Sequence, residues 1–307
     1  MALARGIPRN ILSRSNTRSI FNGAPSNSRN RFSPTTNHPP LDNDVVRIVV
    51  ISDTHQQHSL LKLPSHGVDV LIHCGDFTSY GNISGVRNFR RWLEQQTQFT
   101  DRIVVDGNHD QDRNNPDAID LREEFSNISS SRSHEKVGSI KFLQDETALC
   151  ANGRLRVHGY SWNSCKEDEF KGLPDEETPV DIVVAHVPGR LHQKHPQKRK
   201  KLHGSHNLAK FTLERRIPIC CGGHYHWERG GVETTDVNDQ GGTRLLTWFI
   251  NAASKRSESS VHEPVVIDYN WRIRTVVNVE GLTQDNTMNI HFEEPFPSRI
   301  AKASFRD

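Results

Sequence analysis

Eight side chains able to offer lone pairs to a cation recur at the ends of apolar runs. "RIVVISDTH" ends in Asp53 and His55, and "VDVLIHCGD" ends in Asp76. "RIVVDGNHD" carries Asn108 and His109, "VDIVVAHVP" carries His186, and "IPICCGGHYH" closes on His224 and His226. Carboxylates, imidazoles and one amide make an oxygen and nitrogen donor set. Such a set suits Mn, Fe or Zn, with Mg as a further option, better than a thiolate-binding metal. It is too large for one ordinary metal centre. Each residue alone has an ordinary explanation as a turn, a helix cap or a surface histidine, and Asn108 after Gly107 fits a left-handed turn. Those explanations together need repeated coincidence in one order, so the metal reading is preferred.

Strand ends must bring these residues together. The apolar runs are short and rich in Val and Ile, as expected of strands buried on both faces. In an extended strand, residues i and i+2 face one side. Asp53 with His55, and His224 with His226, are therefore expected to converge just past their strands, where ligands of α/β sheets collect. Glycines before Asp76, Asn108 and His224 allow close backbone approach. "ISGVRNFRRWLEQQTQF" places Val86, Phe89 and Leu93 on one helical stripe, and "HNLAKFTLERR" reads as a second amphipathic helix. Strands alternating with helices give an α/β fold. Further strands are expected at Leu155–His158, Leu245–Phe249, Val265–Asp268 and Arg272–Val277.

The chain of 307 residues has a net charge of +2 that is unevenly spread. Residues 1–40 hold six Arg and no Asp, Glu or Lys, which leaves 33 basic against 37 acidic residues elsewhere. The bulk charge of that remainder does not predict general nucleic-acid binding. Residues 1–44 read either as a disordered tail or as a transit peptide, being rich in Arg and Ser and almost free of acids. Residues 45–275 read as one domain and 276–307 as a C-terminal extension. Five Cys without a paired spacing favour a reducing compartment, so an intracellular location, cytoplasmic or mitochondrial, is expected. No run approaches the roughly 18 apolar residues of a membrane span.

The ordered blocks "SDTH", "CGDF", "GNHD", "AHVP" and "GGHYH" resemble those of the calcineurin-like metallophosphoesterase superfamily. "GDFTSYG", "GYSW" and "INAAS" resemble more particularly the metallophosphoesterase-domain-containing protein subgroup. Two departures from the subgroup stand out: "AHVPG" replaces its usual His-Gly-Pro-Pro, and an extra Gly222 precedes "GHYH". The resemblance implies two mixed β-sheets packed face to face and flanked by helices, with two divalent metal ions at one edge. It implies that Asp53, His55 and His226 hold one ion, that Asn108, His186 and His224 hold the other, and that Asp76 bridges them. A metal-bridging hydroxide would attack phosphorus, with His109 near the leaving group as a proton donor. The implied activity is hydrolysis of a small phosphorylated substrate, a phosphodiester or cyclic-nucleotide-like ester. The alternatives are a phosphomonoesterase or protein phosphatase, and a binding or regulatory protein with a weakly active metal site.

Other residues invite weaker readings. Asp110 either orients His109 or caps its loop, and the structural role is preferred. Gln57 and His58 are candidate substrate contacts or the start of a solvated helix. His73, Cys74, His158, Tyr160 and Trp162 read as core. The basic run from His192 to His206 reads as a solvated loop, with attraction of an anionic substrate or nucleic acid as the alternative.

Overall fold

In the computed structural model, residues 43–111, 119–126, 138–166, 178–191, 203–237 and 242–292 are described. Residues 1–42 and the basic stretch 192–202 lie outside them. The first half of the domain follows the apolar runs. β1 (Val45–Ile51), β2 (Val70–His73), β3 (Asp101–Val104) and β4 (Ser139–Phe142) are strands, with α1 (Ile83–Glu94) and α2 (Leu121–Ser126) between them. Next come β5 (Glu146–Cys150), β6 (Leu155–Gly159), α3 (Trp162–Lys166), β7 (Ile182–Val184), α4 (His206–Glu214) and β8 (Ile219–Gly222). The chain continues through β9 (Gly230–Val237), β10 (Thr243–Asn251) and the short hairpin β11 (Lys255–Ser257) and β12 (Ser260–Val261). It closes with β13 (Val265–Asn270), β14 (Thr275–Glu280) and β15 (Thr287–Phe292).

These strands build the two mixed sheets that the resemblance implies. One has the order β14-β13-β1-β2-β3-β4 and the other β15-β9-β10-β8-β7-β6-β5. β1 to β4 run parallel, as do β6, β7, β8 and β10, so their carboxyl ends gather on one edge. β13 joins β1 antiparallel, and the buried Arg47–Asp268 pair spans that junction at 2.6 and 2.9 Å.

Strand alternation explains the layering. Val46, Ile48, Val50, Val70, Ile72 and Ile103 point into one core cluster with Val157, Ile182, Val184, Ile219, Cys221 and Ile250 of the second sheet. The opposite faces carry Val49, Ile51, Leu71 and Val104, covered by Val86, Phe89 and Leu93 of α1. Val183, Cys220 and Phe249 are covered likewise by Leu208, Ala209 and Leu213 of α4. The result is helix, sheet, sheet, helix. Asn82 caps α1 by accepting from Gly85 N–H, and Ser205 caps α4 by accepting from Leu208 N–H, both at 2.8 Å.

Two boundaries differ from the sequence reading. Residues 271–274 form a turn, so the strand expected at Arg272 begins at Thr275. Beyond residue 275, β14 and β15 each add an edge to one sheet. Edge strands bury only part of one face, which leaves the apolar alternation of this segment thin. Among the described residues, no helix is long and apolar enough to cross a membrane.

Candidate metal centre

All eight candidate residues meet at the shared carboxyl edge, but not by strand alternation. β1 ends at Ile51, and Asp53 and His55 have left-handed backbones, with φ of 52° and 43°. Asp76 (57°) and His224 (66°) share that conformation. Such backbone costs a non-glycine residue on the order of 1 kcal/mol or more and persists where surroundings over-determine it. Here the loop after β1 is zipped to the loop after β2. Asp53, His55 and Gln56 donate backbone N–H to the carbonyls of Gly75, Asp76 and Phe77 at 2.9 to 3.0 Å. The expectation that i and i+2 converge through an extended strand is therefore corrected. Tight loops turn both side chains inward.

Two clusters result. His226 Nε2 lies 3.1 Å from Asp53 Oδ1 and 3.2 Å from His55 Nε2. His186 Nε2 lies 3.2 Å from both Asn108 Oδ1 and Asp76 Oδ2. His224 joins Asp76 and His186 in that second group. Asp76 Oδ2 also stands 3.8 Å from His55 Nε2, so a single oxygen faces both clusters. Asp76 Oδ1 is taken by the N–H of His109 at 2.8 Å.

The donor set fits a pair of cations. Ligand atoms about 2.0–2.2 Å from one ion stand roughly 3–3.5 Å apart, as these atoms do. His186 Nδ1 donates to the Cys74 carbonyl at 2.8 Å and His55 Nδ1 to the Thr78 carbonyl at 3.1 Å. Each bond turns a bare Nε2 lone pair inward. Burial works against a charge on His186, yet Asp76 and Asp53 outweigh it and push its pKa up to about 10. Burial alone would raise the Asp76 carboxyl, but the neighbouring His186 holds it well below the usual carboxylate range.

The glycine of "GNHD" is required sterically. A methyl group on Gly107 would collide with Oδ1 of Asp76 and stand 2.6 Å from its backbone nitrogen. A methyl on Gly222 would lie 2.7 Å from Pro188 Cα, so the loop after β7 passes close against the end of β8.

The neighbouring residues divide between clamp and core. Asp110 does clamp the loop. Its carboxylate accepts the N–H groups of Asp76, Thr78 and Gly107 at 2.7, 2.8 and 2.9 Å. His58 is not solvated and makes no wall of the site. It is buried, faces Phe89 and Trp92, and its Nε2 lies 2.9 Å from Asn88 Oδ1. Gln57 donates to the Glu258 carbonyl. His73, His158 and Tyr160 are core residues, and Cys74 lends only its carbonyl. Trp162 is buried but also packs its ring 5.7 Å from His186 and 5.6 Å from His224. Sequence reasoning missed Asn251, which donates to the Tyr225 carbonyl and so anchors the "GHYH" loop. Its signal was the resemblance of "INAAS". Ala253 bridges to Ser52, and Ser254 N–H donates to the Ser52 carbonyl, which joins the two sheets beside the site.

Known proteins are similar in sequence over most of the chain. Human metallophosphoesterase domain-containing protein 1 is 28% identical over 258 residues, covering 76% of this chain and 74% of its own. The UPF0046 protein C25E10.12 of Caenorhabditis elegans is 26% identical over 247 residues, covering 75% and 83%. Among solved structures, TT1561 of Thermus thermophilus aligns at 13% identity with a TM-score of 0.46, covering 77% of this chain and 98% of its own. The family model for calcineurin-like phosphoesterase matches residues 46–228, the span that supplies every residue of both clusters, and the chain belongs to that family.

Proposed function

We propose that this protein hydrolyses a phosphoester with the help of two divalent ions. Asp53, His55 and His226 would hold one, and Asn108, His186 and His224 the other, with Asp76 shared. The observation that carries this reading is Asp76 Oδ2, 3.2 Å from His186 Nε2 and 3.8 Å from His55 Nε2, one oxygen facing two ligand groups. Divalent ions, with Mn, Fe or Zn best suited to these donors and Mg a further option, supply charge for phosphoryl oxygens and acidify water.

The chain's own residues do the positioning. The Cys74 and Thr78 carbonyls fix the His186 and His55 rings with Nε2 inward. Trp162 closes the site behind His186 and His224 and keeps water from that side. His109 is the exposed member of the group. Its Nδ1 donates to the Ser79 carbonyl at 2.9 Å, and its ring lies 4.9 Å from that of His55. Its Nε2 thereby faces outward, and the imidazolium form, with a proton on each nitrogen, would give the Nε2 proton to the departing ester oxygen.

A phosphodiester or cyclic-nucleotide-like ester is the substrate class we favour. The open side of the cluster, with His109 exposed and His226 partly so, leaves room for an organic group on either side of phosphorus. The test is a comparison of bis(p-nitrophenyl) phosphate with p-nitrophenyl phosphate, using Mn²⁺-loaded protein of measured metal content. A higher kcat/KM for the diester is expected. Preference for the monoester would move the assignment to phosphomonoesters, including phosphoproteins. Hydrolysis of neither by a fully loaded protein would make it a binding protein.

A further inference from the structure

Asp106 is a fully buried carboxylate just past β3, two residues before Asn108. The ligand groups described above do not include it. A buried carboxylate is costly unless its oxygens are partnered. Both oxygens of Asp106 are partnered, and they face different parts of the fold. Oδ2 accepts from the side-chain amide of Gln111, which ties down the loop that carries Asn108 and His109. Oδ1 accepts the backbone N–H of Trp162 at 3.2 Å. That N–H opens α3, where the first amides have no partner within the helix. Asp106 follows a strand of one sheet and Trp162 follows β6 of the other. One side chain therefore joins the two sheets beside the candidate centre.

The centre is itself assembled from both sheets. Asp53, His55, Asp76 and Asn108 follow β1, β2 and β3 of the first, while His186, His224 and His226 follow β7 and β8 of the second. The spacing of the sheets at this edge thus sets the spacing of the ligands. On the Asp53 side, Ser254 N–H donates to the Ser52 carbonyl at 2.8 Å and Lys255 N–H to the Asp53 carbonyl at 3.1 Å. On the Asn108 side, the crossing is made by His186 Nδ1 to the Cys74 carbonyl and by Asp106 to Trp162. The Trp162 ring then lies 5.7 Å from His186 and 5.6 Å from His224, whose own rings stand 5.0 Å apart. Asp106 holds the Asn108 loop with one oxygen and, with the other, the residue against which both imidazoles pack. Ligands keep a productive geometry when packing and outer hydrogen bonds lock their rotamers.

We infer that Asp106 is a positioning residue for the ion held by Asn108, His186 and His224, acting through Trp162. This rests on the two-ion reading above. It gives a residue that binds no metal control over the sheet spacing on one side of the centre.

Mn²⁺ titration of the metal-free full chain, followed by electron paramagnetic resonance, separates the two binding steps. One bound Mn²⁺ gives a mononuclear spectrum, and a second sharing the Asp76 carboxylate gives an exchange-coupled one. Asn108→Ala identifies the step that belongs to its ion. Asp106→Ala should weaken that same step by about 10–100-fold, the usual cost of an outer partner, and leave the other step within about twofold. Asp106→Asn keeps an acceptor for the Trp162 N–H, and an inverted Gln111 amide accepts from the new N–H₂, so both steps should stay within about threefold of wild type. Trp162→Leu should weaken the Asn108 step as Asp106→Ala does. The double variant should be no worse than the weaker single one, because both act along one route. An unchanged Asn108 step in Trp162→Leu would overturn the inference, whether or not Asp106→Ala folds. Equal weakening of both steps in Asp106→Ala, or losses that add in the double variant, would overturn it too and leave the two-ion reading standing. A wild-type chain that binds one ion or none would overturn both.

Discussion

Replacing Asp110 by Asn tests how the centre is held. Asp110 Oδ2 accepts from Asp76 N–H at 2.7 Å and Gly107 N–H at 2.9 Å, and Oδ1 accepts from Thr78 N–H at 2.8 Å. Asparagine keeps one acceptor oxygen. Its best rotamer serves Asp76 and Gly107 and turns an amide N–H₂ toward the Thr78 N–H, donor against donor. One hydrogen bond worth roughly 0.5–1.5 kcal/mol is lost, and a buried N–H left unsatisfied costs roughly 1–3 kcal/mol more. Burial and the charge of Asp76 push the Asp110 carboxyl up, so its bonds carry little charge assistance. The sum is on the order of 3 kcal/mol, a large part of a typical 5–15 kcal/mol stability that still leaves a folded chain. The functional loss should be separable. The Thr78 and Ser79 carbonyls fix the His55 and His109 rings, and weakening such outer partners typically costs about 10–100-fold in metal affinity or activity. Urea unfolding and Mn²⁺ titration against a chelator measure the two effects on one sample. A variant within 0.5 kcal/mol of the wild type, taken as roughly the scatter of a neutral surface change, and equal to it in metal affinity, would refute the clamp.

Two further outcomes follow from the same geometry. His109→Gln should lower kcat by about 10²- to 10⁴-fold on esters with poor leaving groups, and less on nitrophenyl esters, while metal content stays unchanged; equal loss on both would remove His109 as the proton donor. The second concerns acid stability: burial lowers the His158 pKa to about 4, and its Nε2 is buried without a hydrogen-bond partner. The folded state then resists protonation that the unfolded chain accepts below about 6.5, so stability is complete above that pH and declines as pH falls toward 4. Between pH 7.5 and 5 His158 alone should contribute about 2 kcal/mol of the decline, and His158→Phe should reduce the pH dependence by that amount in urea titrations at the two pH values.

The candidate site was legible because each ligand sits next to a strand end, and strand ends can be read from short Val- and Ile-rich runs. Their order carried the family resemblance. What the runs could not reveal was local backbone. Asp53 and His55 converge through left-handed turns stabilised by the loop after β2, a contact between segments more than twenty residues apart. The burial of His58 depends on where α1 docks, and the packing of Trp162 against His186 and His224 depends on the second sheet. The sequence marks Asp110 as a loop cap, but which N–H groups it serves depends on the close approach that Gly107 allows. β15 escaped because an edge strand needs few apolar residues and its partner β9 lies far earlier in the chain, whereas β14 pairs with the adjacent β13 and the sequence reading starts it three residues early.

The shared role of Asp76 is the centre of the account, since its Oδ2 faces both ligand groups. The most direct test is hydrolysis of bis(p-nitrophenyl) phosphate by Asp76→Asn beside the wild type, with metal content measured on the same preparations. The account predicts two divalent ions per wild-type chain, fewer in the variant, and activity abolished by the substitution. Undiminished hydrolysis by Asp76→Asn would contradict it.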